Sequence, residues 1–373
     1  MYSFWDRETF LQKADYLIVG GGLVGMWTAY FLKKQDKGLK IIILERGALP
    51  SGASTRNAGF ACFGSVTELN DDLTRMSENE VFSLVHKRYE GLLKLRELLG
   101  DKEIGYEPLG GFEVFDDVLE YEKHTALIDS YNKKLFSVTG VNTYVINAKK
   151  ATESGFKTIK GVIENTCEGQ LHTGKMAARL MDLCKSLGVV FLNGAEVTEW
   201  ADSGSEVHLL INSIGEMKSK KVLFATNGFA TKLLPQLEVK PARAQVIVTK
   251  PVKGLKLNGS FHYEKGYYYF RNINDRILIG GGRNLDFEGE TTSLDGLTPI
   301  IQQRLEELLY NVVCPYEKPE IDIRWSGTMG VGPVKYPIIE KVSENAWCAV
   351  RLGGMGVALG TVVGEEVASL MKN

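Results

Sequence analysis

Apolar residues near the amino terminus form two short runs that flank a segment with helical spacing. Residues 17–19 are Leu-Ile-Val and residues 41–44 are Ile-Ile-Ile-Leu, which predicts two buried strands. Residues 23–32 between them are predicted to be a helix, and residues 33–40 a polar segment that follows it. This strand–helix–strand order is typical of a parallel sheet covered by helices.

The pattern changes several times further along the chain. Residues 50–65 are small and polar, which predicts a loop held against another part of the protein. Residues 81–99 have apolar positions at helical spacing, and we expect a surface helix outside the core of the first domain. Further helices are predicted around residues 118–135, 175–187, 298–312 and 362–371, and further strands at residues 111–115, 143–146, 189–192, 207–212, 221–225 and 347–350.

Residues 245–280 have an alternating, aromatic pattern instead. Residues 245–249, 267–270 and 276–280 are predicted to be antiparallel strands. Alternation places Tyr269 on the opposite face from Tyr268. We favour Tyr269 as the substrate-facing ring, with core packing as the alternative for this run of tyrosines.

Composition and net charge indicate which kinds of molecule the protein is expected to bind. The 373 residues are 44% hydrophobic and 24% charged, with a formal net charge of −2, as is ordinary for a globular protein. This balance gives no electrostatic reason to expect nucleic acid or an anionic membrane, so a small molecule is the expected partner. The five cysteines include no Cys-x-x-Cys pair and the five histidines have no ligand spacing, so no metal site is expected. Without a signal-peptide pattern or a long apolar run, we expect a cytoplasmic protein with no membrane span.

The turn after the first predicted strand carries the first candidate chemistry. In Gly-Gly-Gly-Leu-Val-Gly, Gly20 permits a sharp turn, Gly22 lets the backbone approach a pyrophosphate and Gly25 lets the helix pack closely. Glu45 ends the second apolar run 20 residues after Gly25, where it would accept hydrogen bonds from a ribose. These features predict a dinucleotide site, the alternative being a glycine-rich turn in an ordinary α/β sheet.

Five later segments accompany this turn in a recognisable order. They are Ser-Thr-Arg-Asn-Ala-Gly at residues 54–59, the run and turn at 223–228, Gly-Gly-Gly at 280–282, Trp-Ser-Gly at 325–327 and Gly-Gly-Met-Gly at 353–356. The chain thereby resembles the D-amino-acid oxidase family of FAD-dependent oxidoreductases, which includes glycine oxidase, sarcosine oxidase and gamma-glutamylputrescine oxidase. The resemblance extends over nearly the whole chain.

The resemblance implies a fold, a cofactor and a reaction. The fold is α/β, with a Rossmann-like FAD-binding domain at residues 1–75, 150–235 and 322–373. A discontinuous α+β substrate domain, built on an antiparallel sheet, is expected at residues 76–149 and 236–321. The reaction is hydride transfer from a carbon bearing an amine to flavin N5, giving an imine that hydrolyses. The residues implied in FAD binding are Gly20, Gly22, Leu23, Val24, Gly25, Glu45, Arg46, Ser51, Ser54, Thr55, Arg56, Asn57, Ala58, Gly59, Val197, Thr226, Asn227, Gly228, Trp325, Gly327, Gly353, Gly354, Met355 and Gly356.

One departure from the family pattern bears on the substrate. Amino-acid oxidases of this family often have a carboxylate-binding arginine shortly after Trp-x-Gly, where this chain has Met329. An amine whose carboxylate is distant or absent is therefore favoured over a simple α-amino acid. Arg243, Arg271, Arg283 or Arg351 could replace the missing arginine, and Arg351 is favoured because it directly precedes the flavin-facing glycines. The candidate substrate-site residues are Arg351, Tyr269, Arg243 and Met329.

Further departures concern the cofactor linkage and the electron acceptor. Sarcosine oxidases attach FAD through a cysteine near the Trp325 position and have a lysine in the strand that matches residues 276–280. Neither is present, so we expect non-covalent FAD and leave O2 or another acceptor open, together with the oligomeric state. Of the histidines, only His262 lies among the predicted substrate strands. The alternatives are an FAD-dependent 2-hydroxy-acid dehydrogenase, a non-catalytic flavin-binding subunit and an NAD(P) dehydrogenase.

Overall fold

Two eight-stranded β-sheets organise residues 1–372, the part of the chain that this computed structural model describes. The strands are β1 (Ala14–Val19), β2 (Ile41–Glu45), β3 (Phe60–Ala61), β4 (Gly111–Phe115), β5 (Tyr144–Ile146), β6 (Gly161–Asn165), β7 (Gly169–Gln170), β8 (Val190–Asn193), β9 (Val197–Asp202), β10 (Val207–Ile211), β11 (Gly215–Phe224), β12 (Lys240–Thr249), β13 (Ser260–Tyr263), β14 (Tyr268–Ile273), β15 (Arg276–Gly281), β16 (Ile321–Val331), β17 (Ile338–Ser343) and β18 (Ala346–Val350).

Helices cover these sheets and connect their strands. The α-helices are α1 (Phe4–Thr9), α2 (Leu23–Gln35), α3 (Ala53–Arg56), α4 (Val66–Asp72), α5 (Glu78–Leu99), α6 (Asp101–Ile104), α7 (Val118–Thr125), α8 (Ile128–Thr139), α9 (Lys150–Glu153), α10 (Thr173–Ser186), α11 (Pro299–Leu308) and α12 (Gly356–Lys372). No helix within residues 1–372 is both long and apolar enough to cross a membrane.

The first sheet has the strand order β17-β18-β11-β1-β2-β8, with β10 and β9 attached to β11. Strands β8, β2, β1, β11 and β18 are parallel, whereas β17 pairs antiparallel with β18. Leu17, Ile18 and Ile43 are fully buried because both faces of this sheet are covered. The two buried strands predicted at the amino terminus are therefore present as the neighbours β1 and β2.

The second sheet has the order β16-β12-β15-β14-β13-β4-β6-β5 and is antiparallel except for the β13–β4 pair. Its back face, which includes Phe261, Phe270 and Ile279, packs in one apolar cluster with Leu305 of α11. The rings of Phe261 and Phe270 stack with centroids 5.2 Å apart. This packing covers one face of the sheet with α11. The opposite face contacts residues from the first part of the chain.

Helix α12 packs between α2 and α5 at glycine contacts. A Cβ on Gly91 of α5 would lie 1.9 Å from the carbonyl oxygen of Ala358, and one on Gly364 would lie 2.4 Å from Cβ of Trp27. Trp27 of α2 is fully buried in the same cluster as Leu92 of α5. The expectation that residues 81–99 form a surface helix outside this core is therefore wrong, because one side of α5 completes it.

Strands β6 and β16 lie in the second sheet, where they pair with β4 and β12. Two other expectations change. The loop predicted at residues 50–65 contains α3 and β3, and the helix predicted over 118–135 is divided into α7 and α8. The two-domain boundaries stay a prediction.

We expect Gly91→Ala to lower the free energy of unfolding by about 1–3 kcal/mol, because the added methyl group would overlap the α12 backbone. Alanine favours a helix over glycine by roughly 0.5–1 kcal/mol, so helix propensity alone would raise the stability of the variant. A loss of stability would therefore come from the packing. Urea denaturation measures it. The adjacent, exposed Glu90→Ala is the control, and equal midpoints for both variants would contradict the prediction.

Candidate cofactor and substrate site

The turn between β1 and α2 is built from glycines that no other residue could replace. Gly20 has a φ of 113°, and a Cβ there would lie 2.7 Å from the carbonyl oxygen of Ala225. A Cβ on Gly25 would lie 2.1 Å from the carbonyl oxygen of Gly20. The turn is therefore in direct backbone contact both with the residue that follows β11 and with α2.

The amino terminus of α2 presents backbone donors beside this turn. The Leu23 N–H donates to Oγ of Ser54 at 2.9 Å, which joins α2 to α3. Within residues 1–372, no hydrogen bond uses the N–H of Val24 or Gly25. A Cβ on Gly22 would lie 2.8 Å from Oγ of Ser54, so the space between the turn and α3 is narrow. Free donors at a helix amino terminus are suited to a phosphate group.

Glu45 lies at the end of β2 with only 7% of its surface exposed. Its carboxylate accepts hydrogen bonds from the N–H of Gly21 at 3.1 Å and of Gly47 at 2.9 Å, and from Oγ of Ser51 at 3.3 Å. Backbone donors rather than a cation therefore hold this carboxylate beside the turn. Nearby, Arg46 stacks over the Phe229 ring, and the buried Val197 begins β9.

The turn after β11 joins the carboxy-terminal glycine segment to the rest of the site. Oδ1 of Asn227 accepts hydrogen bonds from the N–H groups of Arg351 at 3.1 Å and Leu352 at 3.2 Å. A Cβ on Gly228 would lie 2.4 Å from the carbonyl oxygen of Met329, so this turn also contacts β16. Oγ1 of Thr226 is buried and has no hydrogen-bond partner within the described chain. A buried hydroxyl without a partner indicates a missing ligand group.

The second sheet faces this region with one row of side chains. Across its strands, Tyr269 pairs with His262 and Gly280, and Gly280 pairs with Val246, which in turn pairs with Trp325. Directly paired residues project to the same side of a sheet. These five residues therefore define what we call the front face.

The front face contacts the segment of residues 51–59, here called the cofactor loop. Nε1 of Trp325 donates to the carbonyl oxygen of Arg56 at 2.9 Å. Ala58, Tyr269 and Trp325 pack against the same apolar cluster, which includes Val246. A Cβ on Gly327 would lie 3.0 Å from Cβ of Arg56. The structure therefore brings together the predicted residues of this loop, β14 and β16.

Two of the four candidate arginines donate from their side chains to other groups of the protein. Arg243 projects from the back face, where it forms a bidentate ion pair with the buried Glu290 at 2.8 Å. Arg351 has a left-handed φ of 63° and donates to the carbonyl oxygens of Tyr336 at 3.0 Å and Glu238 at 3.2 Å. Arg243 thus belongs to the back-face network and Arg351 holds backbone carbonyl groups, while a role of either in substrate binding stays a prediction.

The other two arginines differ from each other. Arg271 projects from β14 towards the cofactor loop, and Nη1 donates to the carbonyl oxygens of Gly59 and Leu171, each at 2.8 Å. Arg283 follows β15, and its guanidinium lies 4.8 Å from the centre of the Phe287 ring. Within residues 1–372, the guanidinium of Arg283 forms no hydrogen bond and no ion pair. Burial lowers the pKa of Arg283.

Sequence reasoning missed two buried acids, of which Glu113 pairs directly with His262 of the front face. Glu113 of β4 accepts from Oγ of Ser65 at 2.9 Å, and Oε1 of Glu168 accepts from the N–H of Phe63 at 2.8 Å. Burial raises the pKa of Glu113 to about 7 and that of Glu168 to about 8, despite these hydrogen bonds. A carboxylate between Phe112 and Val114 was the available signal for Glu113. Glu168 had none.

The residues described here fit a dinucleotide. The glycine turn, the free α2 donors, the buried acid of β2 and the unpaired Thr226 hydroxyl match a pyrophosphate and a ribose in charge and hydrogen-bonding type. The family model of FAD-dependent oxidoreductases, the DAO family, matches residues 15–370. The chain belongs to this family, and its cofactor is FAD.

Individual relatives are distant but match along most of their length. The chain is 22% identical to a D-amino acid dehydrogenase from Helicobacter pylori, with 97% of this chain and 96% of that protein covered. It is 22% identical to the gamma-glutamylputrescine oxidoreductase of Escherichia coli, with 100% and 86% covered. Its fold is similar to that of glycine oxidase from Bacillus cereus, with a TM-score of 0.78, 19% identity and coverage of 96% and 97%. The fold class predicted from the sequence is confirmed.

We expect Gly22→Ala to weaken FAD binding by about tenfold or more, because the methyl group would fill the gap between the turn and Ser54. Titration of the apoprotein with FAD, followed by flavin fluorescence, measures the dissociation constant. Gly38→Ala in the exposed connection after α2 is the matched control. Unchanged affinity in the Gly22 variant would show that nothing binds in this gap.

The raised pKa of Glu168 predicts a pH-dependent stability. A carboxyl with a higher pKa in the folded state stabilises the protein below its unfolded pKa, near 4.5, and that contribution is lost as pH rises to about 8. We expect Glu168→Gln, which resembles the protonated acid, to gain roughly 2–4 kcal/mol relative to the wild type between pH 5 and pH 8.

Urea denaturation of both proteins across this pH range tests the prediction. Glu122→Gln, at an exposed position of α7, is the control for a generic loss of negative charge. A constant difference between Glu168→Gln and the wild type at every pH would contradict it.

Proposed function

We propose that this protein oxidises the C–N bond of a small amine or amino acid with non-covalently bound FAD, giving an imine that hydrolyses. The main support is that the cofactor loop contacts both the amino terminus of α2 and the front face. When bound, FAD supplies flavin N5 as the acceptor of a hydride. The chain's own residues have to position the amine and exclude water between the loop and the sheet.

The side chains of the front face favour an apolar, weakly charged substrate environment. The ring of Phe60 lies 5.6 Å from that of Tyr269 in an edge-to-face arrangement, and both rings border the cofactor loop. The side chain of Met329 lies against Gly354 at the start of the carboxy-terminal glycine segment. Aromatic and thioether groups can hold the carbon chain of an amine while leaving no fixed charge beside the reacting carbon.

Arg283 is the candidate for a substrate carboxylate that lies far from the amine. It is the one of the four arginines whose guanidinium forms no hydrogen bond or ion pair within the described residues, and it lies two residues after the end of β15. Arg243 and Arg351 are occupied elsewhere, and Nη1 of Arg271 already donates to carbonyl oxygens. An amine with a remote carboxylate or with none is therefore favoured over a simple α-amino acid.

The experiment is an anaerobic screen of the purified yellow protein against primary amines, secondary amines, α-amino acids and 2-hydroxy acids. Bleaching of the flavin absorbance by an amine is the expected result. Bleaching by 2-hydroxy acids alone would overturn the proposal in favour of a hydroxy-acid dehydrogenase, and no bleaching by any compound would favour a non-catalytic flavoprotein. Release of the flavin on acid precipitation checks that it is not covalently attached.

The role of Arg283 is tested with a pair of substrates. We expect Arg283→Met to raise KM roughly tenfold or more for an amine with a distant carboxylate, since an arginine–carboxylate pair is lost, and to leave KM unchanged for the same amine without the carboxylate. Arg7→Met, at an exposed position of α1, is the control. Equal changes for both substrates would reject the role.

A further inference from the structure

A buried histidine occupies the front face next to the aromatic rings. His262 lies in β13, where it pairs directly with Tyr269 on one side and Glu113 on the other. Its ring is 5.2 Å from that of Phe60 in an edge-to-face arrangement. Only 7% of the residue is exposed. His262 therefore borders the same space as the cofactor loop and Tyr269.

The imidazole of His262 has a nitrogen without a partner. Nε2 is buried and forms no hydrogen bond within residues 1–372. Buried polar atoms in folded proteins are nearly always paired, and leaving one unpaired is costly. The β13 strand is held on both sides by its neighbours, which fixes the backbone from which the ring projects. The unpaired nitrogen indicates that a bound molecule completes its hydrogen bonding.

The surrounding titratable groups are suited to a neutral imidazole that can take up a positive charge. Three face it: Glu68 from α4, Glu113 from β4 and Tyr269 from β14. Burial lowers the pKa of His262 and the Glu68 carboxylate opposes this only in part. Burial tends to raise the pKa of Glu68, but the charge of Lys335 and the hydrogen bond from the Ser65 N–H help to bring it below its ordinary value, so Glu68 stays ionised. An imidazolium formed at His262 would therefore meet a permanent negative charge.

We propose that His262 accepts the proton of the substrate's ammonium group at Nε2, an inference that rests on the proposed amine oxidation. Amines are largely protonated in neutral water, and an ammonium nitrogen has no lone pair with which to form a C=N bond. In the proposed step one N–H bond breaks, its electron pair stays on the substrate nitrogen and the proton forms an N–H bond at Nε2. The products are a neutral amine and an imidazolium, which the Glu68 carboxylate stabilises.

The first test follows the rate of anaerobic flavin reduction by the amine that the screen identifies. For the wild type, the limiting rate should fall as pH decreases through the range where His262 becomes protonated. His262→Ala should reduce the rate at pH 7 by roughly 100-fold or more, and should lose that pH dependence. Added imidazole should restore at least about tenfold of the loss, which a purely structural defect would not allow. His262→Asn, which retains a buried polar group, should be as slow as His262→Ala.

A second readout does not depend on turnover. An amine with no hydrogen on the carbon bearing nitrogen, such as tert-butylamine, cannot be oxidised at that carbon. Binding of tert-butylamine to the FAD-loaded protein labelled with 15N-histidine should move one Nε2 resonance from the range of a neutral to that of a protonated imidazole. The resonance should be missing from His262→Asn.

His86 supplies the matched control, because its Nε2 is also buried and unpaired but lies in α5, away from the front face. His86→Ala should reduce flavin at the wild-type rate. If His262→Ala also does so with an unchanged pH profile, or if imidazole gives no rescue, this inference is rejected while amine oxidation stands. If no amine reduces the wild type, the proposed function and this inference fail together.

Discussion

The site depends on one buried guanidinium that joins the second sheet to the cofactor loop. Nη1 of Arg271 donates to the carbonyl oxygens of Ala58, Gly59 and Leu171, and Nε donates to that of Asn272. Arg271 is 4% exposed and has no carboxylate partner within the described chain. Burial lowers its pKa to about 10, so the group stays charged at neutral pH. Backbone carbonyls alone satisfy this charge, which requires the cofactor loop to pass directly over β14.

That requirement explains the conformation of the loop. Gly59 has a φ of 74°, and a Cβ there would lie 2.3 Å from the carbonyl oxygen of Leu171 and 2.6 Å from Nη1 of Arg271. The chain then continues into β3, which pairs with β7. The substrate space is consequently bounded by backbone that cannot move without leaving the charge of Arg271 unpaired. The same backbone sets the positions of the Phe60 and Tyr269 rings.

The sequence predicted those parts of the fold that depend on local pattern. Two local patterns were specific enough to predict structure: the apolar runs of β1 and β2, and the spacing of Gly20, Gly22 and Gly25. A buried parallel strand and a close strand–helix turn each permit few residue types. The back-face position of Arg243 could not be predicted, because a shift of one residue in the register of β12 reverses which side chains face the loop. The burial of α5 and the pairing of β6 also depend on partners distant in sequence.

The carboxy-terminal segment has a consequence for biogenesis. Strand β11 lies between β1 and β18 in the parallel sheet, and α12 fills the gap between α2 and α5. The ribosome makes β18 and α12 after every other element described here. The nucleotide-binding half at the start of the chain therefore lacks both a neighbouring strand and a core helix during most of translation. The complete FAD-binding half therefore forms only after β18 and α12 have been made.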